Sequence, residues 1–304
     1  MYSLSTCWNS RRHTDGRAML EEIREQGFEY AELSHGIRLS LVPGILEAVQ
    51  AGVIKISTLH NFCPLPMGVN HAAPNIFRFT STDRRERERA FRHSIQTLDF
   101  AERVGAKLVV LHMGSIDMRH YTDKLLEMVG RGQAGTPRYE RLCWEVEERR
   151  QERREAHEEH AYEILDILDR EALKRGLMLG IENREALEEI PFESDFGFLF
   201  AEFNSGAVRY WHDCGHGQIK ENLGFIRHAD HVGGLAEHLA GFHIHDVGFP
   251  GRDHLPPGQG MIDFAALAPH VRPEHLKVFE LHPSVSPEEV RESFAHIKSL
   301  WGEE

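Results

Sequence analysis

The sequence predicts a single (β/α)8 barrel, the TIM-barrel architecture, spanning residues 1–304. Three observations carry that prediction. Short apolar segments of strand type alternate with amphipathic helical patterns along the whole chain, the order of a parallel α/β fold. No linker or shift of composition divides the chain, and its length is ordinary for one barrel. Several of the apolar segments also end on a histidine or an acid, as expected where the C-terminal ends of strands build a site.

Residues 2–8 read as the first strand. Residues 15–26 follow as a helix, with Ala18, Met19 and Ile23 on one face and Gly27 as its stop. A second strand is expected at 30–33, then a helix at 41–51 with Pro43 in its first turn and Gly52 closing it. The third strand, 54–59, ends in His60. Residues 61–83 are rich in proline and asparagine and too long for an ordinary connection, which predicts a loop over the site. Ser81 or Asp83 is placed to cap the next helix, in which Phe91, Ile95, Leu98 and Ala101 recur at helical spacing as far as Gly105. The fourth strand, 107–111, presents His112. Residues 116–138 carry one short apolar-periodic piece at 125–129 and a Gly-rich break. A charged helix then buries Ala161, Ile164, Leu165, Leu168 and Ala172, while its Glu/Arg run at 145–159 reads as a solvated extension. The last four strands are expected at 177–181, 208–211, 239–244 and 277–281, with helical patterns near 195–203, 218–238 and 263–270 between them. Ser286, Pro287, Glu288 and Glu289 open a final helix with a cap, an N1 proline and first-turn carboxylates.

Composition narrows the function classes. A net charge of -13 argues against a chain that wraps nucleic acid, because neutralising phosphates takes clustered Lys and Arg, although an acidic total leaves room for a basic groove. The four cysteines (Cys7, Cys63, Cys143, Cys214) have no CxxC spacing and read as free thiols of a reducing compartment. Neither a signal-type leader nor an apolar run of about 20 residues is visible, so a cytoplasmic protein without membrane association is expected. The 21 histidines exceed what a core or surface needs. Those at 120, 157, 160, 228, 231, 238 and 296 fall in polar or helical stretches and read as surface.

The densest chemistry lies in residues 210–217, where Asp213, His212 and His216 sit beside Gly215 and Gly217 at the end of an apolar run. Comparable strand ends deliver His112, Glu182, Glu280, and the pair His243 and His245. Divalent metals of hard or borderline character take carboxylate oxygens and imidazole nitrogens, and Glu182, Asp213, His243 and Glu280 offer four from four strands. A lone acid at a strand end is ordinary. Its recurrence at so many ends is not, and burying unpaired carboxylates without a cation is costly. Cys214 reads as a small buried filler and not as a nucleophile.

Five segments in this order, 180–183, 213–216, 241–246, 254–260 and 279–280, resemble the xylose isomerase-like TIM barrel superfamily, which holds sugar isomerases and epimerases, inosose dehydratases and endonuclease IV. The resemblance covers essentially the whole chain. It implies that Glu182, Asp213, His243 and Glu280 hold a divalent ion (Mn, Zn, Mg or Co), with His243 favoured over His245 because the ligand histidine lies three residues before the acid, here Asp246. It implies further that Glu182 and Glu280 are the acid and base, and that Glu188 and His216 touch substrate. Phe249 stands where the epimerases carry an arginine, with Arg252 as a replacement. His245 and Trp8 are further candidates for sugar contact, Trp8 together with Phe62 and Trp211 as aromatic surfaces near strand ends.

On the endonuclease IV side, His60 and His112 match ligands of a second zinc, and His216 and His254 ligands of a third, so one to three ions are implied. Arg252 stands at the remaining third-zinc position, with Asp253 displaced by one. The expected function is a divalent-metal-dependent isomerase or epimerase of a sugar or sugar-like polyol or keto compound, working by proton transfer through an enediolate. An endonuclease IV-like zinc phosphodiesterase and a noncatalytic carbohydrate-binding barrel are the alternatives; the intact glutamate pair argues against the latter. The expected partner is a small carbohydrate, with nucleic acid disfavoured and homo-oligomerisation left open.

Overall fold

Strands β1 (Tyr2–Ser5), β4 (Leu108–Leu111) and β10 (Leu276–Phe279) are buried at every residue, as parallel strands covered on both faces must be. A computed structural model, describing residues 1–72, 74–204 and 206–303, joins them to β2 (Tyr30–Leu33), β3 (Lys55–His60), β5 (Met178–Glu182), β6 (Val208–Asp213) and β7 (Leu239–Ile244). These eight close into a parallel barrel in the order β1-β10-β7-β6-β5-β4-β3-β2. Helices cover its outer face. No helix among the described residues is long and apolar enough to cross a membrane, and all four cysteines are free.

Local chemistry sets the helix ends. Helix α1 (Gly16–Glu25) is capped by Asp15, which accepts from Ala18 N, and α3 (Arg84–Val104) by Asp83, which accepts from Arg85 N. α3 stops at Gly105, whose φ of 72° favours glycine. The expected helix at 41–51 is a short 3-10 turn, Leu39–Leu41, followed by α2 (Val42–Gln50). The unassigned stretch 116–138 contains α4 (Thr122–Gly130), the patterns near 195–203 and 263–270 hold α6 (Phe196–Glu202) and α9 (Phe264–Leu267), and α10 (Pro287–Trp301) opens on a complete Ser286/Glu289 capping box.

Four expectations need correction. β1 stops at Ser5, so Trp8 lies beyond it in a turn. The pattern at 218–238 is two helices, α7 (Cys214–Asn222) and α8 (His228–Gly234), because Asp213 caps α7 by accepting from His216 N and so starts the helix directly behind the strand. The Glu/Arg run belongs to α5 (Pro137–Lys174), and it is not wholly solvated: Val146, Arg150 and His157 are buried. His228 is buried as well, its Nε2 lying 2.8 Å from His212 Nε2. An antiparallel hairpin, β8 (Asp246–Gly248) with β9 (Arg252–Leu255), was not anticipated. Asp246 pins the chain that follows it by accepting from the amides of Val247, Gly258, Gly260 and Ile262.

Candidate active site

At the C-terminal mouth of the barrel lies a cavity of about 520 Å³, within the size range of small-molecule sites. The loop 61–83 contributes Leu65, Asn70, His71 and Pro74 to its wall, as expected of a loop over the site, and the β8–β9 hairpin contributes Asp253 and His254.

Glu182, Asp213, His243 and Glu280 come from the ends of four different strands and place one ligand atom each within 4.8 Å of the others. The three carboxylates converge on His243 Nδ1, at 2.7 Å (Glu182), 3.2 Å (Glu280) and 3.8 Å (Asp213). The other imidazole nitrogen, Nε2, lies 3.1 Å from Glu32 Oε2, which fixes the ring so that Nδ1 faces the cluster. Glu32 is fully buried on β2 and held by the hydroxyls of Ser5 and Thr58. Burial opposes the charge on His243, yet Glu280, Glu32 and Glu182 raise it well above an ordinary imidazole. That excess of buried negative charge, presented as three carboxylate oxygens and one nitrogen, is the donor set of a hard or borderline divalent cation.

Neighbouring groups hold these side chains in place. Asn183 accepts from Asp213 N at 2.7 Å and donates to Asp213 O at 3.0 Å. His245 Nε2 lies 3.1 Å from both oxygens of the Asp213 side chain. A Cβ on Gly215 would meet the His245 ring at 2.0 Å, so glycine is required there. Burial would raise the Asp213 carboxyl, but His216 and His245 hold it far below its usual value. Burial is likewise outweighed at Glu182, which Arg184, His112 and His243 hold well below the carboxylate range.

Arg184 is the decisive neighbour of the second histidine pair. His60, His112 and Glu182 do come together, with ligand atoms within 4.8 Å of one another. Arg184 Nη1, however, lies 2.8 Å from both Glu182 Oε2 and His112 Nε2, so a guanidinium already sits against two of the three. Burial and Arg184 together push His112 down to about 3. His216 and His254, matched in sequence to one zinc, separate: His216 groups with Glu185 and Asp253, and His254 with His245 and Glu280.

A profile of the xylose isomerase-like TIM barrel matches residues 20–300. The chain belongs to that family. No match was found among curated proteins. Among solved structures, a D-tagatose 3-epimerase-like protein superposes with a TM-score of 0.71 at 15% identity, covering 98% of this chain and 96% of that one. The 3-keto-D-glucoside 4-epimerase of E. coli gives 0.68 at 14% identity over 98% of both chains. D-allulose 3-epimerase from Methylomonas sp., solved with D-allulose, gives 0.67 at 14% identity over 98% of this chain and 96% of that one.

Within this xylose isomerase-like barrel, His60, His112, Glu182, His216, His254 and Glu280 line the cavity. Four candidate sugar contacts do not. Trp8 is fully buried and donates from Nε1 to Val285 O, which makes it core. Glu188 is spent on Tyr121 N, Thr122 N and Thr122 Oγ1 and anchors the start of α4. His245 is fully buried behind Asp213. Arg252 lies exposed on β9, and its neighbours Asp253 and His254 face the cavity instead. Phe62 and Trp211 are buried and absent from the cavity wall. Glu32 and Arg184 were missed; Arg184 follows Glu182 by two residues and was legible as a charge beside a ligand, whereas Glu32 looked like a lone acid in a strand.

Proposed function

We propose that this protein is a divalent-metal-dependent isomerase or epimerase of a carbohydrate, with Glu182 and Glu280 as the proton-transfer groups. What supports the assignment is a division of labour: of the four clustered side chains, Glu182 and Glu280 line the cavity, while Asp213 and His243 are fully buried behind them. Two carboxylates thus face the substrate and two residues hold. Glu182, Asp213, His243 and Glu280 would hold the ion, which would supply Lewis-acid polarisation of a carbonyl and its neighbouring hydroxyl. Glu182, kept ionised by Arg184, and Glu280 serve the two proton transfers. His112 and His216 face sugar hydroxyls, with their Nδ1 atoms tied to Asn75 Oδ1 and Asn183 O.

We assign one ion, because the Arg184 guanidinium occupies the second position. That charge also counts against the zinc phosphodiesterase reading, which calls for clustered metals. Incubating the metal-loaded protein with candidate ketoses and aldoses in deuterated water tests the proposal. Metal-dependent deuterium at the carbon next to the carbonyl is expected; incision of an abasic DNA duplex without exchange would overturn it.

A further inference from the structure

The side of the cavity built by the loops after β1 and β2 differs in charge from the carboxylate cluster. Arg11 and Arg38 both line it. Arg11 is exposed and makes no ion pair or hydrogen bond among the described residues. Arg38 donates through Nη2 to the backbone carbonyls of Ser10 (3.2 Å) and His13, and its Nε is buried without a partner. Beside it, Ser34 is fully buried with its Oγ unpartnered, and His35 has a buried Nδ1 with no partner. Both also line the cavity. In contrast to Arg184, which is matched by Glu182 and Glu189, neither of these guanidiniums has a carboxylate among the described residues.

We infer that Arg11, Ser34, His35 and Arg38 form an oxyanion subsite, so that the carbohydrate turned over here carries a phosphate or a carboxylate. The inference rests on the carbohydrate reading above and deepens it. Closing a neutral sugar over this wall would strip water from two unmatched guanidiniums and leave the buried Nε, Oγ and Nδ1 unsatisfied, each at a cost. An oxyanion answers both deficits, because guanidinium donors in a fork suit phosphate and carboxylate oxygens and a hydroxyl adds a further bond. A protein of net charge -13 has many acids with which to neutralise an arginine; leaving two unmatched in one cavity wall reserves them for a ligand.

Calorimetric titration of the metal-loaded full chain with inorganic phosphate tests this subsite directly. Saturable binding is expected, weakened severalfold in Arg11→Met and by about tenfold or more in Arg11→Met/Arg38→Met, as loss of charge-assisted bonds implies. It should persist in Glu280→Gln, which disturbs the metal cluster and not this wall. Absence of saturable binding, or loss of binding in Glu280→Gln with none in the arginine variants, would overturn the subsite while leaving the deuterium-exchange test of the main reading untouched. Arg11 is exposed and partnerless, so Arg11→Met alone decides if the double variant fails to fold: unchanged affinity refutes the inference. Repeating the titration with acetate separates the sources, since tighter phosphate assigns a sugar phosphate and tighter acetate a sugar acid.

Discussion

Replacing Arg184 by methionine removes the guanidinium paired with Glu182, and two opposite consequences follow. The guanidinium is bonded to Glu182 Oε2 at 2.8 Å and to Glu189 Oε1 at 3.0 Å, and both carboxylates are buried. Leaving such charges uncompensated costs about 3–5 kcal/mol, so the metal-free variant should unfold at markedly lower urea. At the same time the substitution removes a guanidinium from beside His112 and Glu182, which with His60 place ligand atoms within 4.8 Å of one another. Two imidazoles and a carboxylate suit zinc. Zinc at a hundred times its dissociation constant should therefore restore about 2.7 kcal/mol. Elemental analysis after equilibration with zinc is the assay: one equivalent in the native protein and two in Arg184→Met. A native protein that already holds two, or a folded variant that stays at one, would refute the claim that Arg184 is the resident cation.

Other outcomes follow from the same geometry. Glu182→Gln and Glu280→Gln should each abolish metal-dependent deuterium exchange with an unchanged far-UV spectrum; full exchange in either would remove that residue from the chemistry. Replacing both His60 and His112 by alanine should leave the native metal count unchanged and raise the Michaelis constant, whereas loss of one equivalent would mean that they ligate a metal. Trp8→Ala should cost about 3–5 kcal/mol of stability, as for large side chains removed from a core, without altering substrate affinity once folded. A selective rise in the Michaelis constant would return Trp8 to the site. With chelator present, stability should fall away on both sides of about pH 5–6.5. Glu182 and Asp213 have folded-state values below those of the unfolded chain, so their contribution is present above about pH 4–5 and lost as pH falls through the lowered values. His245, raised to about 9 because Asp213 outweighs burial, contributes fully below its unfolded value near about 6.5 and loses that contribution as pH rises toward 9. A urea midpoint constant from pH 3 to 9 would contradict both signs.

The barrel and the clustering of four candidate ligands at its mouth were legible because their signals are local and repeated. Each strand is a short apolar run, and Glu182, Asp213, His243 and Glu280 each stand at or just beyond the end of one. What failed was any inference that needed to know how a loop folds back. Glu188 has the right spacing from Glu182, but spacing does not reveal that the amides at Tyr121 and Thr122 will claim its carboxylate. Trp8 stands three residues beyond Ser5, where the turn sends its indole to Val285 O, buried and off the cavity wall. Arg252 and Asp253 exchange places because β9 pairs back on β8 and so selects which side chain faces the cavity.

The charged run on α5 carries the same lesson to the site itself. Its sequence reads as a solvated face, and many of its residues are exposed. Arg150, like Val146 and His157, is an exception. It is buried and donates to the carbonyls of Leu187 and Glu189, fixing the backbone of the segment after β5. The Glu189 side chain accepts from Arg184 Nε, and Arg184 Nη1 donates to Glu182. A continuous line of contacts therefore runs from the outer helix to the proposed base. Burial lowers the Arg150 pKa even though Asp195, Glu193 and Glu147 pull the other way. A side chain that is costly to bury and spent on two carbonyls is there to hold a loop, and the loop it holds is the one that positions Arg184. Arg150→Met should accordingly loosen Arg184 and reduce turnover more than substrate affinity. Equal losses in both would mean that α5 supports the fold and not the geometry around Glu182.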